Sequence, residues 1–150
     1  MSTAVLTRWP ISVEILVLAE DVDEHDYPTD DALGRWFATA WEAYLQRCQM
    51  LRDVLSSCRT RVALGSVRLS SRRGVRPGER VLIALGATEL RPSSFVLAFR
   101  VRILGSDAAP ILDGHRSVSL LDTASSSSIP VPIEIQSELI MLADTASEYC

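Results

Sequence analysis

The sequence predicts an α+β domain in which one long helix lies against a curved antiparallel sheet. Residues 31–55 carry apolar side chains at steps of three and four, the period of a helix that is buried on one face. Four later segments alternate or run apolar between short turns, as antiparallel strands do. A long helix with a wide aromatic face needs a broad surface to lie on, and a curved sheet provides one.

The first predicted elements are a strand and the helix. Residues 11–18 alternate and then become continuously apolar, which indicates a strand with a buried end. Asp30 or Asp31 can cap the helix that follows. Its apolar face consists of Leu33, Phe37, Ala40, Trp41, Tyr44, Cys48, Leu51 and Leu55.

The remaining chain is predicted to be mostly β-structure. Strand candidates cover residues 61–69, 80–90, 94–104 and 111–121, and the second of them is broken near Gly86. Because short turns join consecutive candidates, we expect an antiparallel meander. A serine-rich linker over 124–128 precedes a short C-terminal helix that starts at 132 or 133 and ends near 143.

Composition and charge exclude several classes of protein. The 150 residues are 47% hydrophobic and 23% charged, which favours one globular domain over 1–150 with a core of about 11–139. No apolar run is long enough to span a bilayer and no signal peptide begins the chain, so we expect a cytoplasmic protein with no membrane partner. A net charge of −4 disfavours nucleic acid as a partner. Cys48, Cys58 and Cys150 lack paired spacing and indicate free thiols.

An acidic segment with one histidine joins the first strand to the helix. It contains Glu20, Asp21, Asp23, Glu24, His25, Asp26, Asp30 and Asp31. A carboxylate just before a helix N-terminus lies near free backbone N–H groups and the positive end of the helix dipole. This combination suits attack on a carbonyl by a nucleophile or base beside an oxyanion site. A solvated capping turn is the alternative interpretation.

Four segments carry motifs in a recognisable order. They are Glu20-Asp21-Val22-Asp23 before the helix, Val75-Arg-Pro-Gly-Glu-Arg-Val at a turn, Leu90-Arg-Pro-Ser-Ser-Phe at the start of a strand, and Asp113-Gly-His-Arg-Ser-Val followed later by Ile129-Pro-Val-Pro. Over residues 11–139 the chain thereby resembles hotdog-fold thioesterases of the 4-hydroxybenzoyl-CoA thioesterase-like family. The resemblance implies the hotdog fold and hydrolysis of an acyl thioester of coenzyme A or of acyl-carrier protein, and no cofactor is expected.

The resemblance also implies roles for residues of the acidic segment. Asp23 would attack the thioester carbonyl or activate water, and backbone N–H groups at the helix start, near Asp31, would stabilise the oxyanion. Thr29 would orient water or replace the family's Asn as a donor, and Tyr27 would contact the acyl group. Asp26, Tyr27 and Thr29 stand where the family has Gly, His and Asn. A non-catalytic hotdog module that binds an acyl group or an acyl-carrier partner is therefore the alternative function.

Hotdog sites lie between subunits, so the resemblance implies a homodimer or homotetramer, and pairing also covers the exposed sheet edge. A cystatin-like or NTF2-like domain would share the element order, but such proteins close their ligand cone with several helices. This sequence shows only one long helix.

His25 and Glu42 are two further candidates for a catalytic role. His25 is a candidate general base because imidazole in general changes its charge near neutral pH, with a surface histidine as the alternative. The spacing around it resembles the start of a calcium loop, but Asp26 and Ala32 occupy the required Gly and Glu positions, so we expect no metal. Glu42 is considered because a second hotdog thioesterase group uses a helix carboxylate, although the exposed edge of the helix is its expected place.

The basic residues suggest a phosphate site. All fifteen are arginine, and Arg72, Arg73 and Arg76 surround the turn after the third predicted element. Arginine is well suited to bidentate phosphate contacts, so these three are candidates to bind the phosphates of coenzyme A. A solvated hairpin tip is the alternative.

Overall fold

The computed structural model describes residues 4–5, 9–69, 73–106 and 110–144, and within them six strands form one antiparallel sheet. The strands are β1 (Ala4–Val5), β2 (Ile11–Leu16), β3 (Thr60–Leu69), β4 (Arg80–Leu90), β5 (Ser94–Ile103) and β6 (Leu112–Asp122). The helices are α1 (Asp30–Gln46), α2 (Gln49–Ser56) and α3 (Ile133–Asp144), with a 3-10 turn at Ala19–Asp21. None of these helices has the length and apolar character needed to cross a membrane.

The order of strands is β1-β4-β5-β6-β3, with β2 also beside β4. β1 pairs with the last residues of β4 and β2 with the first, so the two are pieces of one sheet edge. β3 forms the opposite edge and pairs with β6. The predicted meander is therefore confirmed for β4 to β6 and wrong for β3, because alternation along a strand does not reveal which neighbour it takes.

The long helix is interrupted. α1 ends at Gln46 and α2 begins at Gln49, so the prediction of one helix over 31–55 is wrong at this point. The carboxylate of Glu138 on α3 accepts hydrogen bonds from the backbone N–H groups of Met50 (2.8 Å) and Leu51 (3.1 Å). A residue far along the chain thus caps α2, while the apolar period continues across the break and conceals it.

The core lies between α1 and the concave face of the sheet. Its fully buried large side chains include Tyr44, Leu51, Ile83, Leu85, Phe95, Leu97, Leu112, Leu120, Ile135 and Leu139. Phe37 of α1 meets Phe99 of β5 edge to face, with ring centroids 5.6 Å apart. Gly114 on β6 makes room for this pair, since a Cβ there would lie 2.4 Å from Cζ of Phe99. The aromatic core predicted for the helix is confirmed.

Candidate functional site

The acidic segment forms a small hairpin that leads into α1. Val22 and Pro28 form an antiparallel bridge, and the backbone N–H of Asp23 donates to the carbonyl of Tyr27 at 2.8 Å. Asp26 at the tip has a φ of 64°. This left-handed region is open to glycine and is visited by aspartate more often than by most residues. Asp26 therefore adopts the backbone conformation that suits the glycine of the family motif.

Asp23 is exposed, and its carboxylate is held in one orientation by the hairpin. Oδ1 accepts hydrogen bonds from the backbone N–H of His25 at 2.8 Å and of Tyr27 at 3.0 Å. Because these bonds already fix the side chain, the carboxylate loses little further conformational entropy when a ligand binds beside it. The arrangement presents a positioned carboxylate at the surface, beside the entry to α1.

Asp21 is a residue that the sequence interpretation did not single out. Its side chain is buried, with a relative exposure of 1% for the residue. Oδ2 accepts from the backbone N–H of Leu18 at 2.9 Å, and Oδ1 accepts from Nη2 of Arg35 at 2.6 Å. The hydrogen bond to Asp21 raises the pKa of Arg35. Because both oxygens are engaged, Asp21 anchors the hairpin to α1.

The sequence signal for this anchor is weak. Asp21 is one of several carboxylates in an acidic run, and its partner lies fourteen residues further on. The only hint is that Arg35 is a single cation in the first turns of a helix that otherwise starts with acidic and apolar residues.

The N-terminus of α1 is capped by Thr29, which corrects the prediction of Asp30 or Asp31. Thr29 Oγ1 accepts from the backbone N–H of Ala32 at 3.1 Å. Threonine suits this position because, with an extended backbone, its hydroxyl can accept from the backbone N–H of the third helical residue. Asp30 and Asp31 instead occupy the first turn, and no acceptor in the described part of the chain takes the Asp31 N–H.

Three other candidates lie at the surface. The side chain of His25 is exposed, with Nε2 3.4 Å from Oε1 of Glu24. Tyr27 is also exposed. Glu42 lies on the exposed face of α1, where Gln46 Nε2 donates to it at 3.4 Å. Within the described ranges, no group of three His, Cys, Asp or Glu side chains is placed to hold a metal ion.

The two described candidate phosphate arginines, Arg73 and Arg76, lie at different places in the segment between β3 and β4. Arg73 adjoins the acidic hairpin, because the backbone N–H of Val75, two residues on, donates to the carbonyl of Asp26 at 2.8 Å. Arg76 begins a tight turn with Gly78 in the left-handed region (φ 89°), beside Val17, the residue that follows β2. Arg72 lies outside the described residues.

A cavity of about 210 Å³, here called the α1 cavity, lies beside the first half of α1. It is lined by Asp30, Leu33, Gly34, Phe37, Val67, Leu69, Phe99 and Arg116. Val67 and Leu69 belong to the sheet edge β3 and are 38% and 39% exposed. The cavity therefore runs from the helix start to the unpaired edge of the sheet and is mostly apolar.

Solved structures with this architecture are numerous. A 1,4-dihydroxy-2-naphthoyl-CoA thioesterase from Synechocystis superposes with a TM-score of 0.73 at 15% sequence identity, covering 93% of this chain and 96% of its own. The chain has the hotdog fold. A thioesterase superfamily protein from Jannaschia sp. CCS1 gives 0.74 at 20% identity (93% and 87% covered), and a thioesterase from Thermus thermophilus complexed with coenzyme A and zinc gives 0.73 at 16% (93% and 98%).

The hotdog resemblance drawn from the sequence motifs is thus confirmed at the level of the fold. No protein-family model and no curated protein matches the sequence. The activity must therefore be argued from the site itself, since one fold hosts many functions.

Proposed function

We propose that this hotdog protein hydrolyses acyl thioesters of coenzyme A, with Asp23 as nucleophile or general base. The observation that carries the proposal is the Asp23 carboxylate, exposed and held by two backbone N–H groups on the hairpin that enters α1. The names of the Synechocystis and Thermus proteins, one a CoA-thioester hydrolase and the other bound to coenzyme A, support the substrate class.

The proposed reaction uses the residues around this carboxylate. Asp23 attacks the thioester carbonyl carbon, or takes a proton from the water that attacks it. The negative charge that develops on the carbonyl oxygen is stabilised by the Asp31 N–H and the positive end of the α1 dipole. When Asp23 is the nucleophile, the C–S bond breaks to leave an anhydride between Asp23 and the acyl group, the coenzyme A thiolate takes a proton from water, and a second water hydrolyses the anhydride to the acid and free Asp23. When Asp23 is the base, the C–S bond breaks after attack by water, the acid is released directly, and the proton that Asp23 took passes to the departing thiolate. One oxyanion donor of this kind contributes about 3 kcal/mol to transition-state stabilisation.

Neighbouring side chains complete the proposal. The hydroxyl of Thr29 accepts from Ala32, and its own proton orients the attacking water. Tyr27 contacts the acyl group, and His25 on the hairpin is the second candidate base. Arg73, together with Arg72 and Arg76, binds the phosphates of coenzyme A.

A second copy of the chain is proposed to pair along β3. This strand pairs with β6 and forms the outer edge of the sheet, and its Leu64, Val67 and Leu69 are each more than a third exposed. An apolar, uncovered edge is a template for pairing with another strand. We expect Leu64→Lys to reduce the mass in light scattering to that of a smaller oligomer. Leu16→Lys on β2, equally exposed at 43%, is the matched control and should leave the mass unchanged.

The alternative is a hotdog module that binds an acyl group or an acyl-carrier partner without hydrolysis. It is favoured by the replacement of the family's Gly, His and Asn by Asp26, Tyr27 and Thr29. The two functions predict different results in one experiment.

The experiment compares wild type, Asp23→Asn and Glu24→Gln on a panel of acyl-CoA substrates. Asparagine keeps an oxygen that can accept from His25 and Tyr27, so the hairpin is retained while the base or nucleophile is lost. We expect kcat/KM to fall at least about 100-fold in Asp23→Asn and to stay unchanged in Glu24→Gln. Equal activity of wild type and Asp23→Asn would remove Asp23 from catalysis. Acyl-CoA binding without turnover by the wild type would support the module.

A further inference from the structure

Arg116 is a cation on the apolar face of the sheet. It belongs to the set of β6 residues that point toward α1, with Leu112, Val118 and Leu120 as fully buried neighbours on that face. Its guanidinium lies over the ring of Phe37, 4.9 Å from the centroid, and its Nε donates to the carbonyl of Gly65 at 2.9 Å. These two contacts fix the planar group at the wall of the α1 cavity.

No carboxylate in the described part of the chain lies within 4.0 Å of the Arg116 guanidinium. Three other arginines, Arg35, Arg91 and Arg100, each have such a partner. Desolvation alone lowers the pKa of Arg116. A half-buried guanidinium without a counter-ion is an energetic cost that a bound anion would relieve, and Nη1 and Nη2 form a fork suited to a carboxylate.

We propose that Arg116 selects acyl groups that end in a carboxylate, so the preferred substrates are short dicarboxylic acid monothioesters of coenzyme A. This inference rests on the proposed function and names its substrate class. The α1 cavity, at about 210 Å³, is below the usual range of small-molecule pockets, which favours a short acyl group.

Asp30 lines the same cavity and has the opposite charge. It is exposed at the first residue of α1, where solvent screens its field, whereas Arg116 is half-buried against Phe37. Arg116 therefore sets the charge preference for the end of the acyl group. A preference for a cationic acyl group would indicate that Asp30 prevails.

The test compares kcat/KM for glutaryl-CoA against pentanoyl-CoA and for adipoyl-CoA against hexanoyl-CoA, pairs that differ only at the terminal group. We expect the wild type to prefer the dicarboxylic member of each pair. Arg116→Gln should lose about 30-fold on the dicarboxylic substrates and stay within about threefold on the neutral ones, as expected for loss of a charge-assisted hydrogen bond. Arg116→Lys should recover part of the preference, and Arg102→Gln, at a half-buried arginine of β5, should change neither.

A merely structural role for Arg116, as the donor that satisfies Gly65 at the bulge in β3, predicts equal losses on both members of each pair. That result would overturn the proposal. A preference for an acyl-CoA whose acyl group ends in an amine would also overturn it. If no acyl-CoA is hydrolysed, binding of the non-hydrolysable thioethers of the same acyl groups is measured by calorimetry. Tighter binding of the dicarboxylic thioethers that is lost in Arg116→Gln would support the selection by Arg116 although hydrolysis had failed. Equal binding of both kinds would refute it.

Discussion

Gly114 is the position at which one added carbon should disturb both the core and the α1 cavity. In Gly114→Ala, the new Cβ would lie 2.4, 2.7 and 2.9 Å from Cζ, Cε1 and Cε2 of Phe99. Carbon atoms pack at about 3.5–4.0 Å, so the ring must move by about 1 Å. Phe99 is buried and packs on Phe37, and both line the cavity, so the displacement cannot be absorbed at the surface.

The expected cost follows from these contacts. Overpacking a core typically costs about 1–3 kcal/mol, and replacing glycine within a strand recovers about 0.5–1 kcal/mol. A net loss of about 1–2 kcal/mol lowers Tm by about 2–8 °C for a chain of this size. Calorimetry or urea unfolding measures it directly.

Two controls sharpen the measurement. Gly34→Ala is the same substitution where no atom lies within 4 Å of the added carbon, in the interior of α1, and it should stabilise the protein by about 0.5–1 kcal/mol. Phe99→Leu removes the atoms that collide, so the double variant should be more stable than the sum of the single effects predicts. A Gly114→Ala protein that melts at or above the wild-type temperature would refute this account of the packing.

Two further predictions concern the break between α1 and α2. Glu138→Ala should lower the free energy of unfolding by about 1–2 kcal/mol in urea titration, because Met50 and Leu51 lose their acceptor, whereas Glu134→Ala on the exposed face of α3 should have little effect. Burial raises the pKa of Cys48 to about 12, so mass spectrometry after brief alkylation near neutral pH should find the exposed Cys58 modified and Cys48 unmodified. The Cys48 thiol ionises at a lower pH in the unfolded chain than in the folded chain. Burial of the neutral thiol therefore contributes to stability below about pH 9, and this contribution is lost as the pH rises toward 12. Cys48→Ala should therefore flatten the decline of stability over that range, and an unchanged slope would contradict the assignment.

Local patterns predicted the elements better than their arrangement. The bounds of β4, β5 and α3 agree with the prediction to within about two residues, because turn residues and alternation mark them directly. The place of β3 beside β6 and the capping of α2 by Glu138 depend on contacts between distant parts of the chain. No periodicity in a single segment carries that information.

The acidic segment shows the same division. Its position before the helix was predictable from the strand and helix patterns, whereas the distinction among its carboxylates was not. Burial and partners separate them: Asp21 is enclosed with Arg35, and Asp23 is exposed on the hairpin. Arg116 was missed because a single arginine in a strand resembles an outward-facing residue until its neighbours on the sheet are known.

The residues that depart from the family motif serve the hairpin mainly through their backbones. Asp26 adopts the positive φ that a glycine would adopt, and aspartate does so at modest cost. Thr29 caps α1, and the N–H of Tyr27 donates to Asp23 whatever side chain Tyr27 carries. The substitutions are therefore compatible with the hairpin that positions Asp23, and the support that they give to a module without hydrolysis comes from their side chains alone. What distinguishes the two functions is the carboxylate itself, because Asp23→Asn preserves every one of these backbone contacts and changes only the chemistry.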